Sequence, residues 1–230
     1  MNANPWGRAP QEWGLRARAE YRSAAISAQL LHWLIQAGLP LELLETGRRI
    51  VGDELVHAQL CAEVVEALGS DWQPAPTETA DLALPASPDG LLASILESLL
   101  PNFLLGETLA VPLFGAMRRD AQHPQVLAAL TRILADEAVH RAFGWQVLDA
   151  LLELDPDGVR AWLSARLPPE LARLRALYAG VQGPPLTKEE RGCGLLEPSD
   201  WTVITDRAIE HDVLPRLRQR GIAQGLHPHP

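Results

Sequence analysis

Asp53-Glu54-Leu55-Val56-His57 and Asp136-Glu137-Ala138-Val139-His140 are two copies of one pattern, D-E-x-V-H. On a helix, residues three apart share a face. Each copy therefore aims one carboxylate and one imidazole at the same point. Each also lies inside a long apolar stretch, where an uncompensated charge is costly. A single Glu-x-x-His carries little weight. Two copies, each preceded by aspartate, point to one shared cause.

The surroundings of the first copy predict a helix pair. Leu15, Ala19, Ser23, Ile26, Leu30 and Leu34 recur at three- and four-residue steps, which predicts a helix from about Gln11 to Ala37 with those residues as its buried face. Gly38-Leu39-Pro40 ends it and starts a second helix, which runs to Leu68 and stops at Gly69. A link this short makes the two antiparallel. From Ser70 to Ser87 the chain carries Pro74, Pro76 and Pro85 and no helical period, the mark of a long crossover.

The surroundings of the second copy predict another pair. Ser87-Pro88 reads as an N-cap and first-turn proline of a third helix reaching about Ala121, distorted near Pro101 and Pro112. His123-Pro124 opens a fourth helix ending near Leu154. Helix pair, long crossover, helix pair is the connectivity of a four-helix bundle with one long connection. Past Asp155 the sequence predicts short helices over 156–166 and 168–179, split at Pro168-Pro169. A Gly/Pro-rich loop over 180–198 and a last helix from Ser199 to Arg220 follow. The expected organisation is a bundle over 1–155 and a C-terminal helical extension over 156–230.

Bulk composition agrees. At 230 residues the chain can bury a sizeable core, and its Ala- and Leu-rich content favours an all-α fold. A net charge of -9 argues against nucleic acid or an anionic membrane as partner. The two cysteines form neither a CxxC pair nor a disulfide framework, so a reducing, cytoplasmic setting is expected. Met1 to Glu12 has no apolar run of the signal-peptide kind. The most apolar stretch, Leu91 to Met117, contains Glu97 and Glu107 and reads as a core helix rather than a membrane span.

The other helix of each pair supplies one more carboxylate. Glu20 lies about 18 residues before the turn at Gly38, and Glu54 about 16 after it. Glu107 and Glu137 lie about 15 residues either side of the turn near Gln122. With a rise of roughly 1.5 Å per residue, all four carboxylates fall at one level. Glu107 is flanked by Phe103, Leu104, Leu109, Val111 and Phe114, so a surface role explains it poorly. Each of these flanking residues taken alone reads as ordinary core packing; together they are candidates for the wall of an apolar substrate pocket, with Gly106 and Pro112 loosening the helix. Alanines and serines around Glu20, and Gly106 beside Glu107, are expected to let helices approach closely.

The expected metal ligands are Glu20, Glu54, His57, Glu107, Glu137 and His140. Four carboxylates balance the charge of two divalent ions, and oxygen with nitrogen donors suits iron or manganese. Asp53 and Asp136 are expected behind the ligands, Asp136 orienting His57 and Asp53 orienting His140. The cofactor reading is two iron ions, with Mn/Fe as the alternative.

The ordered motif E, ExxH, E, ExxH resembles that of the ferritin-like superfamily, which includes bacterioferritin, rubrerythrin, ribonucleotide reductase small subunits and bacterial dimetal monooxygenases. Asp136-Glu137-Ala138-Val139-His140-Arg141-Ala142-Phe143-Gly144 is similar to the corresponding stretch of aldehyde-deformylating oxygenases. The resemblance covers about residues 11–154. It implies a dimetal bundle that activates dioxygen to oxidise an organic substrate, with an electron donor as partner and a homodimer left open. Cys61 stands where reductase subunits carry a radical tyrosine, which argues against tyrosyl-radical storage unless Tyr21, beside Glu20, serves. Leu55-Val56 lack bacterioferritin's haem methionine, and rubredoxin-like cysteine pairs are absent. Two other readings stand beside the oxygenase: an iron-oxidising or peroxide-scavenging protein without an organic substrate, and a metal-stabilised bundle without turnover.

Overall fold

A computed structural model describes residues 4–76 and 84–225. Residues 77–83 of the expected crossover, residues 1–3 and the last five residues of the tail lie outside the described part. The fold is all-helical, with no strand among the described residues.

Helix α1, Ala9–Gln36, and α2, Leu41–Ala67, form the first pair. The chain reverses at Gly38, whose φ of +69° is a left-handed conformation that glycine adopts without strain. The buried face of α1 keeps Ile26, Leu30 and Leu34 of the one the apolar steps predict and departs from its first half. Trp13, Ala17, Glu20, Ala24, Ser27, Leu30 and Leu34 are buried, while Leu15 is 55 % exposed. Ala19 and Ser23 also fall outside this face. Neighbouring residues on a helix point about 100° apart, so a face turned onto Glu20 leaves Ala19 outside it. The large Trp13 and the carboxylate of Glu20 fix the rotation instead.

Helix α3, Leu91–Asp120, is the most apolar, with a mean hydropathy of 1.4 over its best window. Among the described residues it alone is long and apolar enough to cross a membrane, and 56 % of that window is buried within the protein, as a core helix requires. It begins three residues later than Ser87-Pro88 predicts. Ser87 instead closes a turn, its carbonyl accepting from Gly90 N–H at 3.2 Å, and Gly90 takes φ +102°. Within α3, Leu99–Glu107 is wound as a π-helix. Pro101 has no N–H to give the carbonyl one α-turn back, and the Asn102 side-chain amide donates to the Ser98 carbonyl at 2.9 Å. Pro112, in contrast, is held inside regular α-helix.

Helix α4, Pro124–Leu154, matches its expected bounds. Helix α5, Pro156–Ala179, runs unbroken through Pro168 and Pro169, where a split is expected. A helix-interior proline costs about 3 kcal/mol. Val159, Leu163, Leu167, Leu171 and Leu174 form one continuous buried stripe across the break point, and burial of each is worth roughly 1.5–3 kcal/mol. The stripe outweighs the prolines. The expected loop over 180–198 contains a short helix, α6, Lys188–Gly192. Its signal was present in the sequence: Thr187 and Glu190 form a reciprocal capping box. The last helix, α7, spans 198–219 and includes a second π-helical segment, Ile209–Val213.

The chain divides into two compact units. The first contains α1, α2, the end of α3 from Phe114, the start of α4 up to Asp136, and Pro184–Glu197. The second contains Ala86–Leu113, Glu137–Gly183 and the segment from Pro198 that carries α7. The division thus falls within α3 and again within α4.

Candidate metal centre

In the first unit, Glu54 and His57 lie one turn apart on the buried stripe of α2, and Glu20 lies on the buried face of α1. The His57 side chain is fully buried. Its Nδ1 is 4.0 Å from Glu20 Oε2 and 3.9 Å from Glu54 Oε2. Glu20 and His57 sit at nearly equal distances from the turn, as the antiparallel pairing of α1 and α2 requires. On the other side of the ring, His57 Nε2 is 3.1 Å from Asp136 Oδ2, as the sequence predicts.

The second unit repeats the arrangement. His140 is fully buried, with Nδ1 3.9 Å from Glu107 Oε2 and 3.6 Å from Glu137 Oε2. Glu107 closes the π-helical segment of α3, and Glu137 and His140 lie one turn apart on α4. Burial matches between the halves: the Glu20 and Glu107 side chains are both 11 % exposed, and Glu54 and Glu137 are 2 % and 3 % exposed.

The distances bear on whether a metal fits. Separations of 3.6–4.0 Å exceed the roughly 2.7–3.2 Å of a good N–H···O hydrogen bond. They fit two donors on one ion, because bonds of about 2.0–2.2 Å allow donors to stand up to roughly 4 Å apart. All six are buried Glu and His side chains of a kind that could hold metal ions. Carboxylate oxygen and imidazole nitrogen are the donors that divalent transition metals take.

Asp136 sets the state of the ring. Burial raises its carboxyl, but hydrogen bonds from Arg132 and His57 outweigh that and hold it below its ordinary range. An ionised carboxylate only accepts, so Nε2 is the ring nitrogen that carries a proton toward Asp136. Nδ1 then faces Glu20 and Glu54. Asp53, expected behind His140, is held by two guanidinium groups, Arg132 at 3.3 Å and Arg49 at 3.6 Å.

Local packing accounts for the second half-site. A Cβ placed on Gly144 would stand 2.9 Å from Phe103 Cβ and 3.1 Å from Phe103 O. Gly144 lies one turn after His140 and Phe103 one turn before Glu107, so this close approach draws Glu107 and His140 together. Next to them, Trp145 Nε1 donates to Thr108 Oγ1 at 3.2 Å and fixes the register of α4 against α3. Gly106 does not have the expected role between helices: its nearest neighbour is Pro101 O, in its own π-helical segment, at 3.2 Å. Phe103, Leu104 and Leu109 are buried, Phe114 nearly so, and Val111 is half-buried.

Sequence reasoning missed Arg132, Gly144 and the Thr108–Trp145 pair. Arg132 stands one turn before Asp136, at an i,i+4 spacing that could have flagged it. Gly144, inside a helix that otherwise avoids glycine, was the signal for a close approach. Cys61 is fully buried, in keeping with a small core residue, and Tyr21 is 36 % exposed. Neither a family model, nor a curated protein sequence, nor a solved structure matches the chain.

Proposed function

We propose that this chain is a ferritin-like four-helix bundle that binds two metal ions, iron in the first instance, and activates dioxygen to oxidise an apolar organic molecule. The observation that carries the reading is the repeated one. Twice, a buried imidazole turns Nδ1 toward two buried carboxylate oxygens at distances too long for hydrogen bonds and suited to a shared ion. Asp136 and Glu137 are adjacent residues of one helix.

On this reading Glu20, Glu54, Glu107 and Glu137 hold and neutralise the two ions, and His57 and His140 each give one a nitrogen. A pair of reduced ions supplies the electrons that dioxygen needs. Asp136 keeps the His57 ring in one tautomer and orientation, and Asp53 would do the same for His140. Leu104, Leu109 and Phe103 keep water from the Glu107 side. An electron donor would return the ions to the reduced state after each turnover.

Metal analysis of protein purified without oxygen, followed by oxygen uptake after loading with ferrous iron and a reductant, tests this. The expected result is two ions per chain and oxygen consumption that rises with an added apolar substrate. Two bound ions with no oxygen uptake would leave a metal-stabilised bundle. Uptake that no organic molecule stimulates would favour iron oxidation or peroxide removal.

A further inference from the structure

Each copy of the D-E-x-V-H pattern places an aspartate just before a ligand glutamate, and one side chain holds both aspartates. Arg132 Nε donates to Asp136 Oδ2 at 2.6 Å, and Arg132 Nη2 reaches Asp53 Oδ1 at 3.3 Å. The same Asp136 oxygen faces His57 Nε2 at 3.1 Å. Arg132 itself is 49 % exposed, while the Asp53 and Asp136 side chains are 13 % and 17 % exposed. A half-exposed guanidinium thus sits over two largely buried carboxylates that come from different helices and from both copies of the pattern.

We infer that Arg132 is a positioning residue for the metal centre, fixing Asp136, and through it His57, while holding Asp53 to the same fork. The inference rests on the metal reading above. A guanidinium presents several donors in a rigid plane and can serve two carboxylates at once. A lysine ammonium, a point charge on a flexible stem, cannot span them in the same way. Without the fork the two aspartates repel each other, and Asp136 no longer has a fixed place from which to orient the imidazole. Arg49 makes a useful contrast, because its ion pair is with Asp53, at 3.6 Å.

The test is titration of metal-free protein with cobalt(II) against a competing chelator, reading stoichiometry, affinity and the cobalt absorption bands. The wild type is expected to bind two ions per chain. Arg132→Ala is expected to weaken binding about ten-fold, the lower end for loss of a ligand's supporting partner, and to alter the cobalt bands even at saturation. Arg132→Lys should recover only part of the affinity, and Arg49→Ala should stay close to wild type. The metal-free melting temperature of Arg132→Ala should fall, because two aspartates then face each other, but by too little to account for the weaker binding. A wild type that binds no metal sinks the metal reading and the inference with it. A wild type that binds two ions, beside an Arg132→Ala protein of equal affinity and unchanged bands, overturns the inference alone. A fall in metal-free melting temperature that accounts for the weaker binding assigns Arg132 to the fold and overturns it too.

Discussion

The two half-sites carry the same side chains at nearly the same distances, yet their packing is opposite. One turn before the glutamate of the first helix stands Arg16 in one unit and Phe103 in the other. One turn after the histidine stands Cys61 in one and Gly144 in the other. In the first unit the Arg16 guanidinium lies 4.5 Å from the Trp13 ring centre and 5.6 Å from that of Phe114, and it donates to Met117 Sδ at 3.3 Å. In the second, Phe103 presses its own backbone onto Gly144 and packs edge-on against Phe143. The first half-site is built on regular α-helix, the second on a π-helical segment. Ligand geometry is thus kept while the space around it is redistributed, with the more apolar surroundings beside Glu107. On the oxygenase reading proposed above, that is the side an organic substrate would approach, and π-helical turns recur at functional sites.

The hardest blow to this symmetry is removal of a ligand from each half. Glu54→Gln and Glu137→Gln should each lower metal affinity by at least about 100-fold. Each should also raise the stability of the metal-free protein, by about 1–4 kcal/mol, because a buried carboxylate is replaced by a neutral group of the same shape. Calorimetry with and without metal reads both signs at once. If one variant gains metal-free stability and the other loses it, the halves are not equivalent, and one glutamate belongs to the fold rather than to a metal.

The next effect separates the halves instead of equating them. Gly144→Ala puts a methyl group 2.9 Å from Phe103 Cβ, against backbone that cannot swing away. A cost of about 1–3 kcal/mol is expected, together with weaker binding at the Glu107–His140 side. Cys61→Ala, at the same place in the first copy, should cost about 1 kcal/mol and leave metal affinity unchanged. Chemical denaturation and metal titration of the pair measure this. Equal effects on affinity would mean that the close approach at Gly144 does nothing special for its half-site.

How much of this is legible in the sequence follows from the same contrast. The helices whose ends carry strong signals, Gly38-Leu39-Pro40 and His123-Pro124, fall within about two residues of the places those signals predict. The ligand glutamates and histidines stand out because charge in an apolar stretch is costly, and three-residue spacing turns each pair toward one point. What escapes is whatever depends on the partner across the interface. The rotation of α1 turns on Trp13 and Glu20, whereas apolar periodicity favours Leu15. Pro168-Pro169 looks like a break because its local cost is visible in sequence and the packing of a leucine stripe is not. The π-helical segment has a proline as its only local cue, and a proline equally permits a kink or a stop.

The first unit is also tied by a polar contact at its edge. Glu190 accepts hydrogen bonds from Thr187 N–H at 2.9 Å and Arg8 N–H at 3.1 Å, joining α6 to the start of α1. Burial raises its carboxyl, but these bonds and the Arg8 guanidinium outweigh it and hold the group below its ordinary value of 4.5. A lowered folded-state value gives stability that is complete above the unfolded value and lost as pH falls through the folded one. Below about pH 4.5 the start of α1 should therefore loosen, and Glu190→Gln should cost about 1 kcal/mol at neutral pH and flatten the acid dependence. Melting curves from roughly pH 3 to pH 7 check the slope. Hydrogen exchange at Trp13, whose indole N–H donates to Cys193 O at 2.9 Å, shows where the opening starts. The Cys193 thiol, pushed up to about 11 by burial and by Glu190, should resist alkylation near pH 8 in both proteins.

The smallest effect is expected between the ligands themselves. In Glu54-Leu55-Val56-His57 the two middle residues point away from the ligand face, and Leu55 and Val56 are 48 % and 41 % exposed. Their counterparts follow suit, Ala138 exposed and Val139 half-buried. The chemistry asks for helical spacing at these positions and nothing of the side chains. Leu55→Gln and Ala138→Gln should thus shift stability by no more than about 0.5 kcal/mol and leave metal affinity alone. Glutamine is a good helix former, so spacing is preserved and only the outward surface changes. A larger loss at Leu55 than at Ala138 would show that the apolar outer face of α2 is covered by something in solution. Sedimentation of the variant beside wild type would then say whether that cover is a second copy of the chain.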